Sequence, residues 1–563
     1  MDLNSSTRQK QTKKVRNLVR TRALFVVFNL FLILIVVSCE GPGDKQSADS
    51  SGDNYEDLAA LFKEFRELQK PAMNNGVPDY STGAMAQQRT KLKEFQQRLM
   101  ALDTTGWPIP QQVEHHLVRA EMNGLQFYHD VLRPWSRDPG FYLQSQSGAG
   151  PTRYGFLQVP ELPIPEDDFA DFKMKLNAVP EILQQARVTL TEGAADLLLL
   201  ALHYLPEEKT FFARLAGLLK THHPELVADA ERAETAVADY GKWLEENKDK
   251  MTAEAGVGVD NYNWWLKNVH LMPYTWNECL EIVMHEDYRM MASLELERNR
   301  NRFLPELQPV EIQEEHRRRR DQVLRFVSKW LQDEEIMSVP DYLDIEGYLH
   351  RDPLRAPEAW PRDRDFFEQT GDREPLPEQT HEYIGHYFDH QRHSRDESPI
   401  RGTDRFYAID MVRMEGWAFW LEEMLMHAGY LDDRPRRGRE IAYLQAAFRT
   451  CRAVADLKMH STEFSLKEAI DYCVECAPNG WLLPDGPHVW YEMETNLRFV
   501  GWHMGMVVGK YQLTKLLAER ARQLGDKFNL KEFMDAYVQA GIIPFSLIRW
   551  EMTGLDDEMR KLM

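Results

Sequence analysis

The chain is expected to be all-α, a large helical body with few or no short strands. Two observations predict this. Apolar residues recur at spacings of three and four, as in Leu58, Leu61, Phe62, Phe65 and Leu68, which is the stripe of an amphipathic helix. Strand-like alternation is scarce by comparison. The composition allows a sizeable core, with 43% hydrophobic and 28% charged residues among 563, including 14 Trp and 26 Phe.

Residues 1–38 are expected to be an address and not part of the fold. A basic stretch from Arg8 to Arg22 precedes an apolar run from Ala23 to Val37, which ends in Val36-Val37-Ser38-Cys39. A short apolar segment behind a positive flank and before small residues reads as a secretory signal. Its ending resembles a lipobox, in which Cys39 would become the lipidated first residue of the mature chain. Residues 39–54, rich in Gly, Ser and Asp, read as a flexible tether. The protein is therefore expected to be exported and held at a membrane of the cell envelope by lipid. Seven Lys/Arg and one acid lie in residues 1–38, so setting them aside takes the net charge from -21 to -27. Such a body repels phosphate backbones, and nucleic acid is not an expected partner.

The N-terminal helical part is placed at 55–255. It has helical patterning from Tyr55, again over Val113 to Leu132, and from Phe169 to about Lys250 with a break at Pro206. A Pro/Gly-rich passage from Arg133 to Pro165 reads as a long loop or subdomain edge. Gly256-Val257-Gly258 then punctuates the chain, and the C-terminal part is placed at 256–563. Its helical stretches Trp276 to Asn301 and Val310 to Leu331 precede a Pro-rich interruption between Ser338 and Thr380.

Residues 380–393 carry the chemistry. His381-Glu382, followed closely by His386, is similar to the zinc-peptidase helix HExxH, where two His four apart face one metal and the Glu handles a proton. Here the interval is five. At about 100° per residue, i+4 lies about 40° off but i+5 about 140° off, so a regular helix cannot aim both rings at one ion. A π-bulge can absorb the extra residue, with Gly385 a plausible place for it. Alternatively the helix starts at Gly385 and His381 approaches from a turn. His386, His390 and His393 form a rival set on one face, although His390 and His393 read better as a solvated polar face. Glu415, read at the start of a helix with the apolar stripe Trp417, Trp420, Leu421, Met424 and Ala428, would complete a two-His site. Cys473 and Cys476 read as two core thiols on one helix face, with a local disulfide between them as an alternative.

These pieces resemble a bacterial family catalogued as a domain of unknown function, number 885, whose members show HExxPGHH, then an EGWA helix, then Arg/Asp-containing and Gly-Lys-containing helices. The matching residues are His381-Glu382-Tyr-Ile-Gly385-His386, Glu415-Gly-Trp-Ala, Arg452-Ala-Val-Ala-Asp456-Leu-Lys-Met-His460, Gly509-Lys-Tyr-Gln and Gly541-Ile-Ile-Pro544. The chain lacks the Pro of HExxPGHH and one residue of its length, and has no Tyr near Met506. The resemblance implies a helical body like that of zinc peptidases with HExxH plus Glu. It further implies one zinc on His381, His386 and Glu415, Glu382 as general base, and a peptide substrate. His503 is the first candidate to stabilise the oxyanion, with His460, Arg498 and Tyr511 as further substrate-binding candidates. Asp456 is expected either to orient a ligand His or to pair with Arg452. The alternative function is a catalytically silent lipoprotein that binds peptides or a partner in the same groove.

Overall fold

The computed structural model describes residues 54–74, 76–143, 157, 159–349 and 364–563. The signal segment, Cys39 and nearly all of the tether lie outside the described residues. The longer helices are α1 (Tyr55–Leu68), α2 (Thr82–Met100), α3 (Ile109–Phe127), α4 (Glu166–Thr189), α5 (Ala195–His222), α6 (Val227–Asn247), α7 (Val259–Asn268), α8 (Trp276–Asn301) and α9 (Gln313–Asp333). They continue with α10 (Met411–His427), α11 (Gly438–His460), α12 (Leu466–Cys476), α13 (Pro487–Arg498), α14 (Trp502–Leu524), α15 (Leu530–Gln539) and α16 (Phe545–Thr553). Among the described residues the strands are one hairpin, Ala72–Asn74 paired antiparallel with Val77–Asp79. The all-α expectation holds.

Local chemistry explains several helix starts. Asn54, Thr275 and Ser465 each cap a helix with a reciprocal bond to an acid three residues on, which satisfies amide groups the helix itself leaves free. The break expected at Pro206 falls elsewhere, between Thr189 and Ala195, and α5 runs through Pro206. Pro206 lies on the exposed side of α5, where water can satisfy the carbonyl one turn back that the missing N–H leaves free.

At the centre, α10 and α11 are buried almost all round, as helices at the middle of a core must be. The helix α10 crosses α14 at glycines. A Cβ on Gly416 would fall 2.5 Å from the Gly509 Cα, and one on Gly509 would fall 2.1 Å from the Val412 carbonyl oxygen. Only paired glycines permit this approach. Beside the crossing, Lys510 Nζ reaches Glu423 Oε2 at 2.6 Å and Glu286 Oε1 at 2.8 Å, tying α14 to α10 and α8. The Gly509-Lys510 dipeptide is thus a packing device.

The cysteines depart from expectation. Cys476 is bonded to Cys451 of α11 across 25 residues, with Cα atoms 6.1 Å apart, while Cys473 is free and buried. The helix α12 packs on α11, and that contact between helices, not the spacing within CxxC, chooses the partner.

Candidate metal centre

The segment Thr380–Tyr387 is π-wound and passes directly into the α-helix Phe388–His393. One of the two expected solutions to the five-residue interval is therefore realised. The wider turn brings His381 and His386 onto one side, with their Nε2 atoms 3.0 Å apart. Gly385 has a second reason to be glycine, because its Cβ would meet the Ala418 Cβ at 2.6 Å. That contact seats the π-wound segment directly on α10, at the turn that carries Glu415.

Glu415 occupies the second turn of α10, since the helix begins at Met411 and not at Glu415. Its placement therefore owes nothing to the helix-start electrostatics that would otherwise account for it. Glu415 Oε2 is 3.7 Å from His381 Nε2 and 3.8 Å from His386 Nε2, and this buried oxygen receives no hydrogen bond. A point ~2 Å from all three atoms lies inside the triangle they form, the length of Zn–N and Zn–O bonds at ~2.0–2.2 Å. Three lone-pair donors that face one another without a proton to share among them all suit a divalent ion. Burial, reinforced by Arg449 and His386, holds His381 well below its ordinary pKa, leaving the neutral imidazole that a metal needs. Burial pushes the Glu415 carboxyl up, opposed by His386 and Arg449.

A residue that sequence reasoning missed stands behind His381. Glu422 Oε1 lies 2.7 Å from His381 Nδ1, off the N–H axis, and also 2.7 Å from an Arg449 guanidinium nitrogen. The signal was present. Glu422 follows Glu415 by seven residues, two helical turns, and so shares its face of the helix.

The donors open into a cavity of about 380 Å³, whose wall includes Glu382, Arg449, Arg452, Tyr491, Glu492 and His503. Glu382 is exposed to it, one residue from a ligand candidate. His503 reaches the cavity wall but is 1% exposed, with Nε2 2.8 Å from Glu492 Oε2 and Nδ1 2.5 Å from the Asn496 side-chain amide. Burial, with Arg452 nearby, pushes His503 down to about 4. Both ring nitrogens are already engaged, so its expected hydrogen bond to an oxyanion has no free donor.

The remaining candidates lie elsewhere. His460 is fully buried and donates from Nε2 to the Asn496 carbonyl at 2.8 Å. Arg498 is buried in an ion pair with Asp138 at 2.8 Å, linking the N-terminal and C-terminal parts of the chain. Tyr511 is 44% exposed beside a separate surface depression with Tyr274 and Lys510. Asp456 neither orients a ligand His nor pairs with Arg452, which is held by Glu492 at 2.5 Å. It accepts the Met504 N–H at 3.0 Å and so caps α14, and burial raises its carboxyl to about 7. His390 is exposed and His393 lies 3.6 Å from Asp404, away from the donor triangle.

Two solved structures are similar to this chain in fold. One, described as "a putative lipoprotein of unknown function" from Shewanella oneidensis, has 15% identity and a TM-score of 0.67, covering 89% of this chain and all of that one. The other, described as "the putative lipoprotein" from Colwellia psychrerythraea, has 15% identity and a TM-score of 0.64, covering 89% of this chain and 99% of that one. No curated protein matches the chain. Residues 379–552, the stretch that holds His381, Glu382, His386, Glu415 and Glu422, match the family described as "Bacterial protein of unknown function (DUF885)".

Proposed function

We propose that this protein is a zinc-dependent, peptidase-like hydrolase that acts on peptides outside the cytoplasm from a lipid anchor at Cys39. The observation that carries the reading is the convergence of His381 Nε2, His386 Nε2 and Glu415 Oε2 in one cavity with Glu382. Zinc bound there would supply Lewis acidity, polarising a carbonyl and acidifying water near neutral pH. Glu382 takes the proton of the attacking water and delivers it to the leaving amine. Glu422 keeps the His381 ring aimed, with Arg449 neutralising its buried charge. The anchor reading rests on the Val36-Val37-Ser38-Cys39 ending, with support from the descriptions of the two similar structures. Among the described residues no helix is long and apolar enough to cross a membrane.

The test is elemental analysis of the purified protein beside His381→Ala and Glu415→Ala. Near-stoichiometric zinc, lost in both variants while their helical circular dichroism persists, is the expected result. Protein that takes up no zinc even when supplied with it would sink the hydrolase reading. Glu422→Gln should weaken zinc affinity by roughly 10–100-fold without abolishing it, as measured by competition with a chelating dye. Unchanged affinity would reduce Glu422 to a packing role.

A further inference from the structure

The basic side chains of the cavity wall are not all held alike. Four basic side chains of its wall each face an acid: Arg449 faces Glu422 at 2.7 Å, Arg452 Glu492 at 2.5 Å, His488 Glu368 at 2.9 Å and His316 Asp372 at 3.0 Å. Arg320 of α9 is different. It lines the same cavity, yet its guanidinium makes no hydrogen bond among the described residues, its Nε is buried, and its nearest carboxylate is its chain neighbour Asp321 at 3.9 Å. Its neighbours Arg318 and Arg319, by contrast, both close onto Glu315 at 2.7–2.8 Å. An Arg fork on a cavity wall, without a hydrogen-bond acceptor among the described residues, is matched in shape and charge by a carboxylate.

We infer that Arg320 is a specificity residue and that the site takes peptides carrying a carboxylate, which docks on its guanidinium. The inference rests on the hydrolase reading for the choice of a peptide as ligand, but it is read by binding and not by turnover. The carboxylate has two chemical sources, a free peptide C-terminus or an Asp or Glu side chain.

The probes are a mixed tripeptide library with free C-termini, the same library as C-terminal amides, and amides with Glu at each position in turn. Retention is measured on the immobilised zinc-supplied Glu382→Gln protein, which should hold peptides without cleaving them, and on the same protein with Arg320→Gln or Arg320→Lys. At least one acidic set should bind 10-fold or more tighter than the neutral amides. Arg320→Gln should shrink that preference to under threefold, and Arg320→Lys should keep part of it. Preference for free C-termini identifies the terminal carboxylate, and preference for Glu-containing amides identifies the side chain. No acid-dependent retention, or a preference that survives Arg320→Gln, overturns the inference. Zinc measured on the same samples separates the two readings, because a protein without zinc that still prefers acids through Arg320 loses only its hydrolytic role.

Discussion

Glu382→Gln is expected to lower kcat on any peptide the parent cleaves by roughly 10²–10⁴-fold, the usual contribution of a positioned general base. The amide keeps the size of the side chain and cannot accept the proton. Because Glu382 is not among the three converging donors, zinc content should stay near the parental value. Stopped or steady-state assays beside metal analysis on the same preparation check both halves. A variant that keeps zinc and most of its rate would move proton transfer to another group. A variant that loses zinc would make Glu382 a ligand and redraw the centre.

Gly509→Ala should destabilise the protein by about 3 kcal/mol or more, at the upper end for an overpacked core, because the obstruction is backbone and not a movable side chain. The added Cβ would lie 2.1 Å from the Val412 carbonyl oxygen and 2.9 Å from the Gly416 Cα. Relief requires α10 and α14 to part. Since Gly416 adjoins Glu415, the movement also shifts a proposed ligand, and zinc affinity should fall together with stability. Urea unfolding of Gly509→Ala beside Gly217→Ala is the check. Gly217 lies on the exposed side of α5 with nothing within 4 Å of its Cβ, so alanine there should be neutral or stabilise by up to ~1 kcal/mol. Equal midpoints for Gly509→Ala and the parent would show that the crossing has slack.

The helical class, the approximate helices and the donors His381, His386 and Glu415 were legible in the chain itself. Each of these follows from local periodicity or from residue type at short range. The five-residue interval also carried its own message, because an imidazole pair that a regular helix separates by about 140° needs either a π turn or a break. Periodicity could not choose between them. The choice belongs to the tertiary structure, in which the π-wound segment lies against Ala418 through Gly385.

What failed to appear in the sequence depends on neighbours that are distant along the chain. His503 and His460 are plausible donors by residue type, yet Glu492 and Asn496 engage both ring nitrogens of His503, the Asn496 carbonyl engages Nε2 of a fully buried His460, and only packing reveals that. Arg452 and Asp456, four apart on one helix, look like a local ion pair. Each is claimed instead by a group from another helix, where burial rewards a full set of partners over mere proximity. Cys476 likewise bonds across 25 residues and not across three. Sequence by itself determined which chemical groups exist and which local geometry each segment prefers. Tertiary structure decided which groups meet and which are left without a hydrogen-bond partner, because a buried polar atom answers to whatever the folded chain brings within about 3 Å of it.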